Sequence, residues 1–236
     1  DGLQQKRTGR SYAWETRFER SWDQIQEDED GRLTTAVVGG GVEGGEVRRR
    51  GARPVAEVRR GLIRCLVLAV DLSAAMKQTH DMQPNRGVAI VPLVADFLRE
   101  FFDQNPISQC ALICTRDGVA KTLSPLSSSV RAHVDSLRAA VDRYGCYGTA
   151  SFQNCIDLAR SVLAGVPSYG TRELMVVFGA ISTCDPGDVF QSIQKMKEDR
   201  VRCSVIGLGA EVHILKEACR QTDGLYSVAM NADHMA

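Results

Sequence analysis

The chain has 236 residues, of which 44% are hydrophobic and 25% charged, and these proportions exclude a disordered tail and a fibrous protein. Its 29 basic and 29 acidic residues give a net charge of zero, which excludes the bulk positive field that sequence-independent nucleic-acid binding uses. No apolar run approaches the ~20 residues of a membrane span, and the first ten residues lack the apolar core of a secretory signal, so the sequence predicts a soluble intracellular protein.

An aromatic segment lies near the start of the chain. Trp14, Phe18, Trp22 and Ile25 follow one another at helical spacing, which predicts a helix with an apolar stripe along one side. A helix this short cannot bury such a stripe by itself. The stripe therefore packs either on its own domain or on a partner, for which tryptophan is a common anchor. We assign residues 1–30 to this extension and regard Trp14, Phe18 and Trp22 as candidate partner-binding residues.

The next segment, residues 31–60, is rich in glycine and arginine. Eight of the 21 glycines lie between Gly31 and Gly61, and the segment shows neither helical nor strand periodicity. It is predicted to be a linker or an insertion. Its basic stretch RRRGARP and the pair Arg59 and Arg60 are interpreted as solvated linker charge, with direct DNA contact as the alternative.

From residue 61 to residue 236, continuous apolar runs alternate with amphipathic segments. The runs lack polar alternation, as strands do when both faces of a sheet are covered. The segment with the clearest helical pattern spaces seven apolar residues between Ile90 and Phe102 along one face, although Pro92 predicts a late start or a bend. The last helix is predicted to end at Asp223 and Gly224. This pattern predicts an α/β domain with an open, mostly parallel, doubly wound sheet, helices on both faces, and one short antiparallel edge strand at GVAKTLSP.

Three common enzyme motifs are incomplete in the chain. GGGVEGGE lacks the Lys and the Ser or Thr of a phosphate-binding loop, GLGAEV lacks the third glycine of a dinucleotide loop, and no GxSxG elbow is present. The four histidines stand far apart, and the eight cysteines form no CxxC pair, which favours reduced thiols over a zinc site. We therefore expect a non-catalytic protein without a cofactor.

Ligands of doubly wound sheets bind beyond the carboxyl ends of the strands, where the sequence places DLSAA. Asp71 and Ser73 in this string resemble the DxSxS metal motif of von Willebrand factor A domains, and Thr149 matches the later threonine of that family. Ala75 stands where the second serine is expected, and the central strand LMVVFGAIS lacks the family's aspartate. The resemblance therefore implies a degenerate site without metal. The side chains of Asp71 and Ser73 are then expected either to bond to backbone amides of the turn or to cap the next helix. The alternative is a metal-dependent ligand-binding A domain that uses Asp71.

Longer strings extend the resemblance to most of the chain. The leading string WETRFERSWDQIQEDEDG is followed along the chain by FDQNPISQ, TCDPGD and SVIGLGAEV. These strings are similar, in the same order, to the N-terminal portion of the TFIIH core subunit family that binds the XPD helicase. The Gly-rich segment near residues 36–51 has no match. The zinc-binding modules that complete the family's subunits have no cysteine array here.

The TCDPGD string follows the central strand and is the candidate docking loop. Asp185 is predicted to cap the next helix, with Pro186 at its first position and Asp188 at its third, so that the turn is rigid. A rigid turn presents side chains to a partner with little loss of conformational entropy. The candidate partner-binding residues of the loop are Thr183, Cys184, Asp185, Pro186, Gly187 and Asp188. The alternative is a helix cap with no role in recognition.

The resemblance implies a regulatory and scaffold role in the nucleus. It predicts a subunit of the TFIIH core that binds an XPD-type helicase and stimulates its ATPase and helicase activity in nucleotide excision repair and transcription initiation. The implied partners are this helicase and other TFIIH core subunits, with no membrane and with weak or absent direct contact to DNA.

Overall fold

The computed structural model describes residues 63–231 and two short strands, Ile25–Glu27 (β1) and Leu33–Thr35 (β2). The chain divides into two units, Asp1–Glu57 and Val58–Ala236, of which the first contains β1 and β2 as an antiparallel pair. The prediction that Ile25 belongs to a helix is therefore wrong, since this β-branched residue pairs with Thr35 in the antiparallel ladder. The segment predicted to lack strands contains β2. Trp14, Phe18, Trp22 and the arginine-rich stretch lie outside the described residues.

The second unit contains a six-stranded sheet with the order β5-β4-β3-β6-β7-β8. All neighbouring strands are parallel except β4 and β5, which form an antiparallel hairpin at one edge. This confirms the predicted sheet and its antiparallel edge strand. The strands are Ile63–Asp71 (β3), Gln109–Arg116 (β4), Val119–Ser127 (β5), Gly170–Phe178 (β6), Val201–Leu208 (β7) and Tyr226–Ala229 (β8).

Five helices cover the two faces of this sheet. One apolar core contains the buried residues of α1 and α2, and the other contains those of α3, α4 and α5. Central strand β3 supplies both cores, because Leu66 and Leu68 belong to one and Cys65 and Val67 to the other, as the two-residue period of a strand requires. The helices are Arg86–Gln104 (α1), Val130–Tyr144 (α2), Phe152–Leu163 (α3), Val189–Glu198 (α4) and His213–Gln221 (α5).

Helix α1 begins earlier than Pro92 suggested. Asn85 caps the helix, and its side-chain oxygen accepts a hydrogen bond from the Val88 N–H at 2.9 Å. The helix continues through Pro92, which is exposed to solvent. The predicted apolar face packs in the core from Ile90 to Phe102. A favourable cap and a long buried face together outweigh the one backbone hydrogen bond that proline cannot donate.

Helix α5 ends at Gln221 with Thr222 as its C-cap, just before the predicted end at Asp223 and Gly224. Asp223, not Gly224, adopts the left-handed conformation, with φ of 55°. Gly224 is required for a different reason, since a Cβ at this position would lie 1.6 Å from the carbonyl oxygen of Cys203. The close approach joins the end of α5 to strand β7.

Candidate functional site

The carboxyl edge of the sheet brings two of the three predicted metal-site positions together. Ser73 and Thr149 both line a cavity of about 190 Å³, together with Ala75, Ala180 and other residues of the loops after β3 and β6. Asp71 ends β3 beside this cavity and is only 1% exposed. Thr149 arrives there on the loop 145–151, which crosses the edge from α2 to α3.

The Asp71 carboxylate bonds to four donors within the protein. Its Oδ1 accepts a hydrogen bond from the Ser73 N–H at 2.8 Å, and its Oδ2 accepts from the Ser73 hydroxyl at 3.1 Å. The same Oδ2 accepts from the N–H groups of Gly179 at 3.0 Å and Ala180 at 3.1 Å. Burial raises the pKa of Asp71, and the hydrogen bonds from Ser73, Gly179 and Ala180 oppose that rise. Asp71 thus links the ends of β3 and β6.

These residues do not fit a magnesium ion. Mg²⁺ requires several oxygen ligands in near-octahedral geometry. The Asp71 oxygens are already shared among four donors, and Ala75 and Ala180 bring methyl groups to the cavity where further oxygen ligands would be needed. Within residues 63–231 and the two short strands, no group of three His, Cys, Asp or Glu side chains could hold a metal.

The candidate docking loop, residues 183–188, lies in the longer segment that follows β6 along the same edge. We call this whole segment, residues 179–188, the rim loop. The prediction that Asp185 caps the following helix is wrong. Asp188 caps α4, and its side chain accepts a hydrogen bond from the Phe190 N–H at 2.9 Å. Asp185 instead accepts from the Gln153 N–H and the Ser151 hydroxyl, both at 2.8 Å.

The rim loop therefore caps α3, a helix that lies about thirty residues earlier in the chain. The Thr183 hydroxyl accepts a hydrogen bond from the Phe152 N–H at 2.9 Å and donates one to Asp185 at 2.6 Å. Ser151 accepts from the Asn154 N–H at 3.2 Å, so that the first three N–H groups of α3 are all satisfied. The Gln153 side chain completes the contact by accepting from the Gly187 N–H at 2.7 Å. Side chains of Thr183 and Asp185 thus hold the loop in place from within.

Other residues form the outer surface of the rim loop. Cys184, Pro186, Gly187 and Asp188 are exposed, as the docking prediction requires. Two apolar residues that sequence reasoning missed flank them: Ile181 is 74% exposed and Phe190 53% exposed. Phe190 could have been found from the helical pattern of α4, because Val189, Ile193 and Met196 form its buried face and Phe190 lies off that face.

Asp185→Ala should destabilise the domain more than Asp188→Ala. Asp185 serves three donors of two segments, whereas Asp188 caps one N–H of its own helix. We expect losses in the free energy of unfolding of about 2 kcal/mol and about 1 kcal/mol, respectively. Urea denaturation followed by circular dichroism measures both. An Asp185→Ala loss no larger than that of Asp188→Ala would contradict the capping of α3 by the rim loop.

The described part of the chain contains no disulfide bond. All eight cysteines are unpaired, seven of them buried and Cys184 exposed. Among the described helices none is long and apolar enough to cross a membrane.

Comparison with known proteins identifies relatives of the chain. It is 40% identical over 229 residues to general transcription factor IIH subunit 2 of Arabidopsis thaliana, an alignment that covers 94% of the chain and 53% of that protein. It is 37% identical over 227 residues to general transcription and DNA repair factor IIH subunit ssl1 of Schizosaccharomyces pombe, covering 94% of the chain and 52% of the relative. The chain thus spans about half the length of these curated relatives.

Solved structures share the fold of the second unit. The SpRpn10 VWA domain matches with a TM-score of 0.60 and 19% identity, over 72% of this chain and 93% of that one. The TFIIH p34 N-terminal domain matches with a TM-score of 0.57 and 14% identity, over 73% and 94% of the two chains. The unit therefore has the von Willebrand factor A fold. Residues 69–236 match the family model described as Ssl1-like. On these grounds, the chain belongs to the Ssl1-like family.

Proposed function

We propose that the chain is the A-type part of a non-catalytic regulatory and scaffold subunit of the TFIIH core. In this role it works in the nucleus, binds an XPD-type helicase and other core subunits, and stimulates the helicase and its ATPase during nucleotide excision repair and transcription initiation. The family membership and the names of the relatives support the assignment to TFIIH.

The rigid rim loop is the observation that carries the docking part of this proposal. The Gly179 N–H at the start of the loop donates a hydrogen bond to Asp71, and Thr183 and Asp185 near its centre cap α3. A surface held in this way loses little conformational entropy when a partner binds. Ile181 and Phe190 supply exposed apolar area beside Cys184 and Pro186, and contacts of this kind dominate binding energy when a partner excludes water from them.

Stimulation of a helicase requires no chemistry from this chain. A partner that binds the active conformation more tightly than the inactive one multiplies the ratio of active to inactive helicase in the complex by the ratio of the two affinities. A preference of about 1.4 kcal/mol already shifts the equilibrium tenfold. The Asp71 and Asp185 carboxylates at this edge accept hydrogen bonds that hold the loops in place. This use of the two carboxylates is compatible with a binding role.

The double substitution Ile181→Asp/Phe190→Asp should weaken stimulation of an XPD-type helicase. Both side chains are exposed, so the change leaves the core intact and places two charges in the proposed contact. We expect the concentration for half-maximal stimulation of ATP hydrolysis on DNA to rise at least ~10-fold. Titration of the chain into a helicase ATPase assay measures it.

Tyr169→Asp is the matched control, because Tyr169 is 68% exposed but precedes β6 at the opposite edge of the sheet. It should leave stimulation unchanged. Equal stimulation by the double variant and the unsubstituted chain, with both shown to be folded, would refute docking through the rim loop.

A further inference from the structure

A second cluster at the carboxyl edge combines an arginine with two tyrosines. The Arg116 guanidinium carbon lies 4.6 Å from the ring centre of Tyr144 and 5.0 Å from that of Tyr147. Tyr144 and Tyr147 are 45% and 44% exposed, and Val119, paired with Arg116 in the β4–β5 hairpin, is 63% exposed. We call these four residues the Arg116 patch. Arginine and tyrosine are enriched among the residues that dominate protein interfaces.

The stacked arginine has hydrogen-bonding capacity that the chain leaves unused. No carboxylate within the described residues forms an ion pair with Arg116. Its Nη1 atom is shielded from solvent and has no hydrogen-bond partner in the same part of the protein. A second guanidinium, that of Arg143, lies 5.3 Å from the Tyr144 ring centre and adds positive charge. Aromatic stacking fixes the Arg116 plane, and an acceptor from a partner reaches the guanidinium through its other nitrogens, because Nη1 itself is shielded.

One residue of the Arg116 patch, Tyr147, belongs to the same loop that bonds to the rim loop. Tyr147 belongs to the loop 145–151, and its N–H donates to the Leu72 carbonyl at 3.0 Å. Three residues later the Ala150 carbonyl accepts from the Cys184 N–H of the rim loop at 2.8 Å. The loop 145–151 therefore carries one residue of the patch and also bonds to the rim loop, which puts the patch and the rim loop on the same edge of the sheet.

We propose that the Arg116 patch binds a carboxylate side chain of the protein partner that docks on the rim loop, with the carboxylate accepting two hydrogen bonds from Arg116. This inference rests on the proposed function. Planar guanidinium groups match carboxylates in bidentate geometry, and the tyrosine rings and Val119 shield that pair from water. A phosphate of DNA is the weaker alternative, because the chain has no net charge to attract a polyanion.

Arg116→Ala and Arg116→Lys test the inference in the full chain. We expect Arg116→Ala to weaken equilibrium binding to an XPD-type helicase by about 10- to 100-fold, as loss of one partner of a desolvated charge pair does. Arg116→Lys keeps the charge but not the planar fork, so it should restore less than half of the lost binding free energy. Arg131→Ala is the matched control, since Arg131 is an exposed arginine of α2 that forms an ion pair with Asp135. Thermal unfolding of each variant checks that the fold is retained.

The rim-loop double variant separates the two proposals. Weakened binding by both Arg116→Ala and Ile181→Asp/Phe190→Asp supports both. Weakened binding by the rim-loop variant alone overturns the Arg116 inference and leaves the proposed function standing. Weakened binding by Arg116→Ala alone supports the patch and overturns docking through the rim loop. Full restoration by Arg116→Lys, or a loss of single-stranded DNA binding in place of helicase binding, overturns carboxylate recognition.

Discussion

Asp71→Ala is expected to lower the free energy of unfolding by about 3 kcal/mol, because it leaves buried backbone N–H groups without an acceptor. The carboxylate bonds to the N–H groups of Ser73, Gly179 and Ala180, and the surroundings of Asp71 admit almost no solvent to replace it. Burial raises the pKa of Asp71, but the three donors need an acceptor whatever the charge of the group. Urea denaturation at neutral pH measures the loss.

Ser73→Ala is the matched control for this anchor. It removes one hydroxyl donor to Asp71 and leaves the three backbone bonds in place, so we expect a loss below about 1 kcal/mol. Mg²⁺ distinguishes an anchor from a metal ligand, because an ion that binds only the folded chain raises its unfolding temperature. An increase in unfolding temperature with Mg²⁺ that disappears in Asp71→Ala would show that Asp71 binds metal and would overturn the anchor role.

The sheet and its helices were predictable because their signals are local. Strand β3 is buried along most of its length, and its apolar run was recognisable without any knowledge of its neighbours. The apolar face of α1 follows from spacing within one helix. The strand at Ile25 was missed, since three residues with one apolar side chain resemble the end of the preceding helical pattern as closely as a strand.

The candidate site was predictable only in part, because its contacts join distant segments. Asp185 and Asp188 are both good caps by residue type, and only the fold shows that Asp185 bonds to Gln153, 32 residues earlier. The contact of Arg116 with the rings of Tyr144 and Tyr147 likewise depends on where β4 ends relative to α2. Position at the carboxyl edge was nevertheless foreseeable for Asp71 and the rim loop, because parallel strands end together there.

The Gly179 peptide shows how the edge is fixed from two directions. Its N–H donates to Asp71, and its carbonyl accepts a hydrogen bond from Arg86 Nη1 at 3.1 Å. Arg86 is itself buried, with Asp81 as its partner at 2.8 Å. A buried guanidinium keeps its position only while its charge is balanced. The start of the rim loop thus depends on Asp81, a residue that does not belong to the loop.

Asp81→Asn should therefore destabilise the domain by about 3 kcal/mol at neutral pH, since it leaves the Arg86 charge buried without a counter-charge. The two side chains are only 10% and 6% exposed, so water cannot replace the carboxylate. Denaturation in urea gives the loss. The double variant Asp81→Asn/Arg86→Met removes the buried charge together with its partner, and it should cost less than the sum of the two single changes.

The effect of Asp81→Asn should also depend on pH in a defined direction. Burial would raise the pKa of Asp81, but the hydrogen bonds and charge of Arg86 outweigh burial and hold this pKa below its ordinary value. A carboxylate with a lowered pKa in the folded state stabilises the protein above the unfolded pKa, about 3.9, and this contribution is lost as the pH falls through the folded pKa. The difference between the unsubstituted chain and Asp81→Asn should be full at pH 6 and shrink progressively below about pH 4. A difference that stays constant down to pH 2 would show that the ion pair with Arg86 does not hold this end of the rim loop.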